Sequence, residues 1–287
     1  MIKSIHLPNK EFSTKEDLFK ALIDNEQIII DSKKAEIYKS EQKGIEVSSN
    51  QKDIEKILND TEKGIKYDSN YYYFVVNSAY ILDSHEDVHL DKCWNKSVKD
   101  QQGKVYLIWH HGFEEVNNII GFPEDIESFT TNIQWNALGK SYEGNTYCLV
   151  YKILKSKLQN EKVAKWLEEG RKLQLSVRMR YREILFCLKS NNPDYAKQNE
   201  NYNAIYPLIV NKEDFAEPID CFFAIKQCEN VKESSILPFG SNSATGEVNS
   251  TKEQLENTPL EIKNEQSIDT QIEEIPQKDE KKYYYQN

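Results

Sequence analysis

No stretch of this 287-residue sequence approaches 18 consecutive apolar residues, which excludes a membrane-spanning helix of ordinary length. The opening residues, MIKSIHLPNKEF, also lack the apolar centre of a secretory signal, so the chain is expected to be soluble and intracellular. Cysteine is scarce: Cys93, Cys148, Cys187, Cys221 and Cys228 form an odd, scattered set with no C-x-x-C. That pattern argues against a disulfide framework and against structural zinc, and it predicts reduced thiols. Basic residues are outnumbered, 37 against 47 acidic, for a formal net charge of −10. Nucleic-acid binding draws on Lys and Arg to neutralise phosphate, so no nucleic-acid partner is expected. What remains, 38% hydrophobic and 29% charged residues with a mean hydropathy of −0.74, suits one globular domain with polar extensions.

Three regions follow from composition. Residues 231–287 carry 11 acidic and 6 basic side chains and no Trp, Cys or His, too little apolar surface to offset the entropy of ordering, and read as a disordered acidic tail. Its last residues, KDEKKYYYQN, end in three tyrosines that read either as a docking peptide or as a plain terminus. Residues 1–68 read as an α-rich leader. Ser13-Thr14-Lys15-Glu16 fits a capping box with Ser13 as the cap, the stripe Leu18, Phe19, Leu22 and Ile23 follows, and a second short helix is expected over Ile54–Leu58. Residues 69–230 hold all four tryptophans and four of the five histidines, so core and site are expected there. Strands are predicted at 71–76, 104–109, 146–153 and 173–186, with a helix over 157–169 that Gly170 terminates. Strands outnumber helices and strand–helix–strand repeats are few, which favours an α+β domain on an antiparallel sheet or small β-barrel with flanking helices. The polar stretch 189–206 reads as an inserted surface loop.

The sharpest pattern follows Gly170. Leu173, Leu175, Val177, Met179 and Tyr181 alternate with Lys172, Gln174, Ser176, Arg178, Arg180 and Arg182, and period two sends the sets to opposite faces of a strand. Ser176 thus projects from the polar face, where a serine is usually structural or solvated; it gains interest only with a base. The strand Tyr106-Leu107-Ile108-Trp109 ends in His110-His111, and an imidazole is the side chain that accepts a hydroxyl proton near neutral pH. Read singly, these histidines are also compatible with a partly exposed pair. A competing signal is His85-Glu86-Asp87-Val88-His89, which satisfies H-E-x-x-H, the pattern that places two zinc ligands one helical turn apart beside a glutamate base. It requires a helix, yet it follows the turn-like Leu82-Asp83-Ser84 and puts Asp87 between the ligands.

The block Asn77-Ser78-Ala79-Tyr80-Ile81-Leu82-Asp83-Ser84-His85-Glu86-Asp87-Val88, then Cys93-Trp94-Asn95-Lys96-Ser97-Val98, resembles the opening of tailed-phage prohead proteases. Leu107-Ile108-Trp109-His110-His111 with Ile120-Gly121-Phe122, and the helix, Gly170 and Leu175-Ser176-Val177, resemble the family's later motifs in the same order over about 150 residues. The resemblance implies an assemblin-like fold, related to that of the herpesvirus assemblins, and a serine endopeptidase in which Ser176 is the nucleophile and His111 the general base, with His110 as the fallback. For the acidic member it implies Glu217 first and Asp220 second, in the block Glu217-Pro218-Ile219-Asp220-Cys221-Phe222-Phe223-Ala224. Arg178 departs from the glycine the family often places two residues after the serine.

By the same resemblance no cofactor and no metal is expected. The partners would be capsid and scaffold precursor proteins, with self-cleavage and homo-oligomerisation, inside the prohead in the host cytoplasm and possible retention in the virion. The alternatives are a noncatalytic internal scaffold or head protein of the same fold, and a zinc peptidase using His85, Glu86 and His89.

Overall fold

A computed structural model describes residues 1–39, 46–47, 68–171, 173–215 and 217–237. The expected second leader helix at Ile54–Leu58 and the tail from residue 238 onward lie outside the described residues. Helix α1, Lys15–Asp24, starts at Thr14, whose Oγ1 accepts from the Asp17 N–H at 3.1 Å. The cap is therefore Thr14, one residue beyond the expected Ser13. Helix α2, Glu26–Ala35, follows at once and absorbs the Ile28–Ile30 run, burying Ile29 and Ile30.

Strands β1 (Tyr38–Lys39), β2 (Glu46–Val47), β3 (Tyr71–Ser78) and β4 (Asp87–His89) precede α3, Asn95–Gln101. Next come β5 (Tyr106–Trp109), β6 (Ile119–Gly121), β7 (Ile126–Gln134) and β8 (Asn145–Leu154). Helix α4, Glu161–Glu168, begins where Asn160 Oδ1 accepts from the Val163 N–H and is followed by Gly170 at φ 72, inside the predicted 157–169. The chain closes with β9 (Leu173–Leu188), α5 (Ala196–Ile205) and β10 (Cys221–Leu237).

The architecture is α+β. Seven strands form one sheet along β1-β9-β10-β5-β6, with β2 beside β9 and β4 beside β10, and three form a second sheet, β3-β8-β7. Neither sheet closes into a barrel among the described strands. The main core lies between them: Phe74, Val76, Leu149, Tyr151 and Ile153 of the small sheet meet Leu175, Val177, Met179, Phe223, Ile225 and Ile236 of the large one. Leu18, Leu22, Ile29 and Ile30 of the leader and Val163 and Leu167 of α4 join the same cluster. The leader is therefore part of the domain's core.

The long pair β9–β10 sets the plan. Its residues Leu173, Leu175, Val177, Met179 and Tyr181 face the main core, but beyond Arg182 the core-facing set becomes Ile184, Phe186 and Leu188. A register irregularity at Gln227–Cys228 inserts one residue on β9 here, which is how a bulge flips parity while keeping the apolar set inside. The other face of this lower half carries Cys187, Phe222 and Ala224, covered by Tyr202 and Ile205 of α5. The stretch expected to be a surface loop is thus largely a helix over apolar sheet surface. The expected boundary at residue 230 falls inside a strand, because β10 runs through Leu237.

His89 is buried beside Trp94 and Tyr181, and burial pushes its imidazole down to about 4. Between about pH 6.5 and 4 the unfolded chain takes up a proton that folded His89 refuses, so this residue makes stability fall as pH falls, by about 3 kcal/mol in full. Asp87, pushed up to about 7 chiefly by burial, acts in the opposite sense. The expectation is therefore a difference: denaturant unfolding of wild type and His89→Gln at pH 7 and pH 4.5 shows a steeper acid loss in wild type.

Candidate active site

Strand β10 lies between the strand bearing Ser176 and the strand that ends at the histidines. On one side β9 pairs antiparallel with it through Ser176↔Ser235 and Val177↔Ser234. On the other, β5 pairs parallel through Tyr106↔Glu233, Ile108↔Ser235 and Trp109↔Ile236. A bulge between Asn230 and Ser234, with Lys232 at φ 71, divides the side chains of β10. Asn230 Nδ2 and Ser234 Oγ both donate to the core phenol of Tyr151, at 2.7 and 3.2 Å, while Glu233 and Ser235 face the side of Ser176.

Past Trp109 the chain leaves the sheet direction. His110 and His111 adopt φ 52 and 55, two successive non-glycine residues in the left-handed region, which carries a cost that the surroundings must offset. The His110 N–H donates to the Ile236 carbonyl at 3.1 Å, the His111 N–H donates to Ser235 Oγ at 3.0 Å, and the Gly112 N–H closes the turn on the Trp109 carbonyl at 3.1 Å. The turn aims the His111 ring at Ser176 and leaves His110 exposed.

The result is a continuous relay. His111 Nε2 is 2.9 Å from Ser176 Oγ, and His111 Nδ1 is 2.6 Å from Glu233 Oε1. Ser235 Oγ–H donates to Glu233 Oε2 at 2.7 Å and lies 3.1 Å from His111 Nδ1. Glu233 has no exposed surface, and a carboxylate is tolerated there because both oxygens are answered. A carboxylate that only accepts calls for the imidazole proton on Nδ1, which leaves the Nε2 lone pair for the serine hydroxyl. This arrangement has the parts of an activated nucleophile: an alcohol, a base within hydrogen-bond reach, and a third group that orients the base. Ser176 is only 2% exposed.

Neither acidic residue favoured from the sequence is in the relay. Glu217 is exposed, and Asp220 pairs with Lys15 at 2.6 Å, at the far end of β10 from Glu233. Glu233 and Ser235 were missed because they lie in the segment read as tail; the short run Ser234-Ser235-Ile236-Leu237 before Pro238 is the only local sign that the strand continues. The helix needed by the zinc pattern is also absent. His85 is in a turn, Glu86 has φ 57 and accepts from His6 Nε2 at 2.8 Å, and His89 lies buried in β4. No group of three His, Cys, Asp or Glu among the described residues is arranged to hold a metal ion.

A cavity of about 720 Å³ is lined by Trp109, Phe122 and Trp166 among others, without Ser176, His111 or Glu233. No helix among the described residues is long and apolar enough to cross a membrane. No protein-family model, curated protein or solved structure matches the chain.

Replacing exposed His110 by glycine relieves a left-handed backbone position without touching the relay. His110→Gly is expected to raise unfolding free energy by about 0.5–1 kcal/mol, read by chemical denaturation. A loss of stability would mean that the His110 side chain supports the turn.

Proposed function

We propose that the chain is a serine endopeptidase of the prohead-protease type, with an assemblin-like α+β fold, acting on capsid and scaffold precursor proteins and on itself within an assembling phage head. The observation that carries the reading is the hydrogen-bonded chain Ser176–His111–Glu233, drawn together from positions 65 and 122 residues apart. In the mechanism, Ser176 Oγ attacks a peptide carbonyl while its proton passes to His111 Nε2, and Glu233 stabilises the imidazolium. His111 returns that proton to the leaving amine as the C–N bond breaks. Water, deprotonated by the same imidazole, then splits the acyl ester and restores Ser176. Ser235 holds the second Glu233 oxygen and the backbone of His111, and so fixes the orientation of both.

A second reading, a noncatalytic internal head component of the same fold, is favoured by one observation, the near-complete coverage of Ser176. A fluorophosphonate separates the two. Intact mass and peptide mapping are expected to find one adduct on Ser176 in the wild type and none in Ser176→Ala or His111→Ala, and co-expressed precursor is expected to stay unprocessed with Ser176→Ala. Glu233→Gln, which keeps shape but loses the charge that holds the tautomer, is expected to slow precursor cleavage roughly 10³–10⁴-fold. Unchanged precursor processing by Ser176→Ala, or an adduct at another residue, would refute the assignment.

A further inference from the structure

Gln174 and Arg178 bracket Ser176 at two residues on either side, on the same face of β9. Gln174 is 6% exposed, and its Oε1 has no hydrogen-bond partner among the described residues. Arg178 Nε is likewise buried without a partner among the described residues. Its guanidinium carbon lies 5.7 Å from the ring centroid of Phe113, in the segment just after His111. An unanswered buried donor or acceptor is costly and calls for an explanation. The contrast with the rest of the site is sharp, since both oxygens of Glu233 and the hydroxyl of Ser235 are engaged. Another orphaned atom, Trp135 Nε1, belongs to a separate apolar cluster on the small sheet.

We propose that Gln174 and Arg178 are main-chain grips for an extended polypeptide: Gln174 Oε1 accepts a peptide N–H on one side of the scissile bond, and Arg178 Nε donates to a peptide carbonyl on the other. The inference rests on the endopeptidase reading and adds the class of substrate, a segment recognised by its extended backbone. Spacing supports it. Same-face positions on a strand repeat every ~6.4–6.8 Å, and so do alternate peptide groups of an extended substrate. An acceptor and a donor set either side of the nucleophile therefore meet a strand-like segment without regard to its side chains. Among the described residues Gln174 Oε1 and Arg178 Nε are both unpaired, and substrate supplies the partners.

The grips are tested in the full-length protein with two phosphonates of identical leaving groups, one carrying a tetra-alanyl peptide and the other no peptide. Because alanine offers little beyond main chain, the ratio of their rates of reaction with Ser176 reads backbone recognition. The wild type is expected to favour the peptide form by a factor of about ten or more; because the peptide extends from one side of the phosphorus only, one of Gln174→Leu and Arg178→Met is expected to lower that ratio about tenfold and the other to leave it unchanged. Thermal unfolding supplies the second readout: removal of an orphaned polar atom is expected to leave the melting temperature unchanged or higher. A wild-type ratio near one, a ratio unchanged in both variants, or a fall of several degrees in both melting temperatures overturns the inference. Failure of both phosphonates to label the wild type is a different result: it sinks the nucleophile reading, and the grips with it.

Discussion

A carboxylate with no exposed surface must find a partner for each oxygen, and at Glu233 those partners are the His111 imidazole and the Ser235 hydroxyl. This one requirement couples three strands. Moving Glu233 along β10 by one residue would turn it into the main core, where Asn230, Ser234 and Tyr151 already form a polar bridge. Moving β5 would separate His111 from both carboxylate and serine. Losing either partner would leave a buried charge unanswered, a situation that commonly costs about 3–5 kcal/mol. The relay is therefore also part of what fixes the register of the β9-β10-β5 unit.

The bulges in β10 and β9 make that register compatible with two chemistries on one pair of strands. In the lower half the face away from the main core is apolar and covered by α5; in the upper half the same face is polar and carries Gln174, Ser176, Arg178, Glu233 and Ser235. The strain of two consecutive left-handed histidines sits where the chain must turn back over this polar patch, and three hydrogen bonds donated by backbone N–H groups, two to carbonyls and one to Ser235 Oγ, hold it there. Local cost and site geometry coincide, as they do where a backbone is bent to aim a side chain.

Much of this plan was legible. The alternation from Leu173 to Tyr181 gave Ser176 a face opposite the core because β9 stays regular over that stretch, and Gly170 marked the end of the preceding helix with its positive φ. Glu233 was hidden for a physical reason. Averaged over residues 231–287 the composition is that of a chain unable to fold alone, but seven of those residues need no core of their own, since they extend a strand already paired on both sides. The helix α5, AKQNENYNAI, buries little more than Tyr202 and Ile205, too thin a stripe to separate it from a polar loop. In the leader, Ser13 and Thr14 are both competent caps, and only the backbone decides in favour of Thr14.

The most direct measurement is the tautomer of His111 in the folded protein, read from its side-chain nitrogen resonances and assigned through His111→Gln. The relay requires the proton on Nδ1, shared with Glu233, and a bare Nε2 turned toward Ser176. That single tautomer is expected at neutral pH and is expected to give way to a mixture in Glu233→Gln. A His111 protonated on Nε2, or one indifferent to Glu233, would contradict the account.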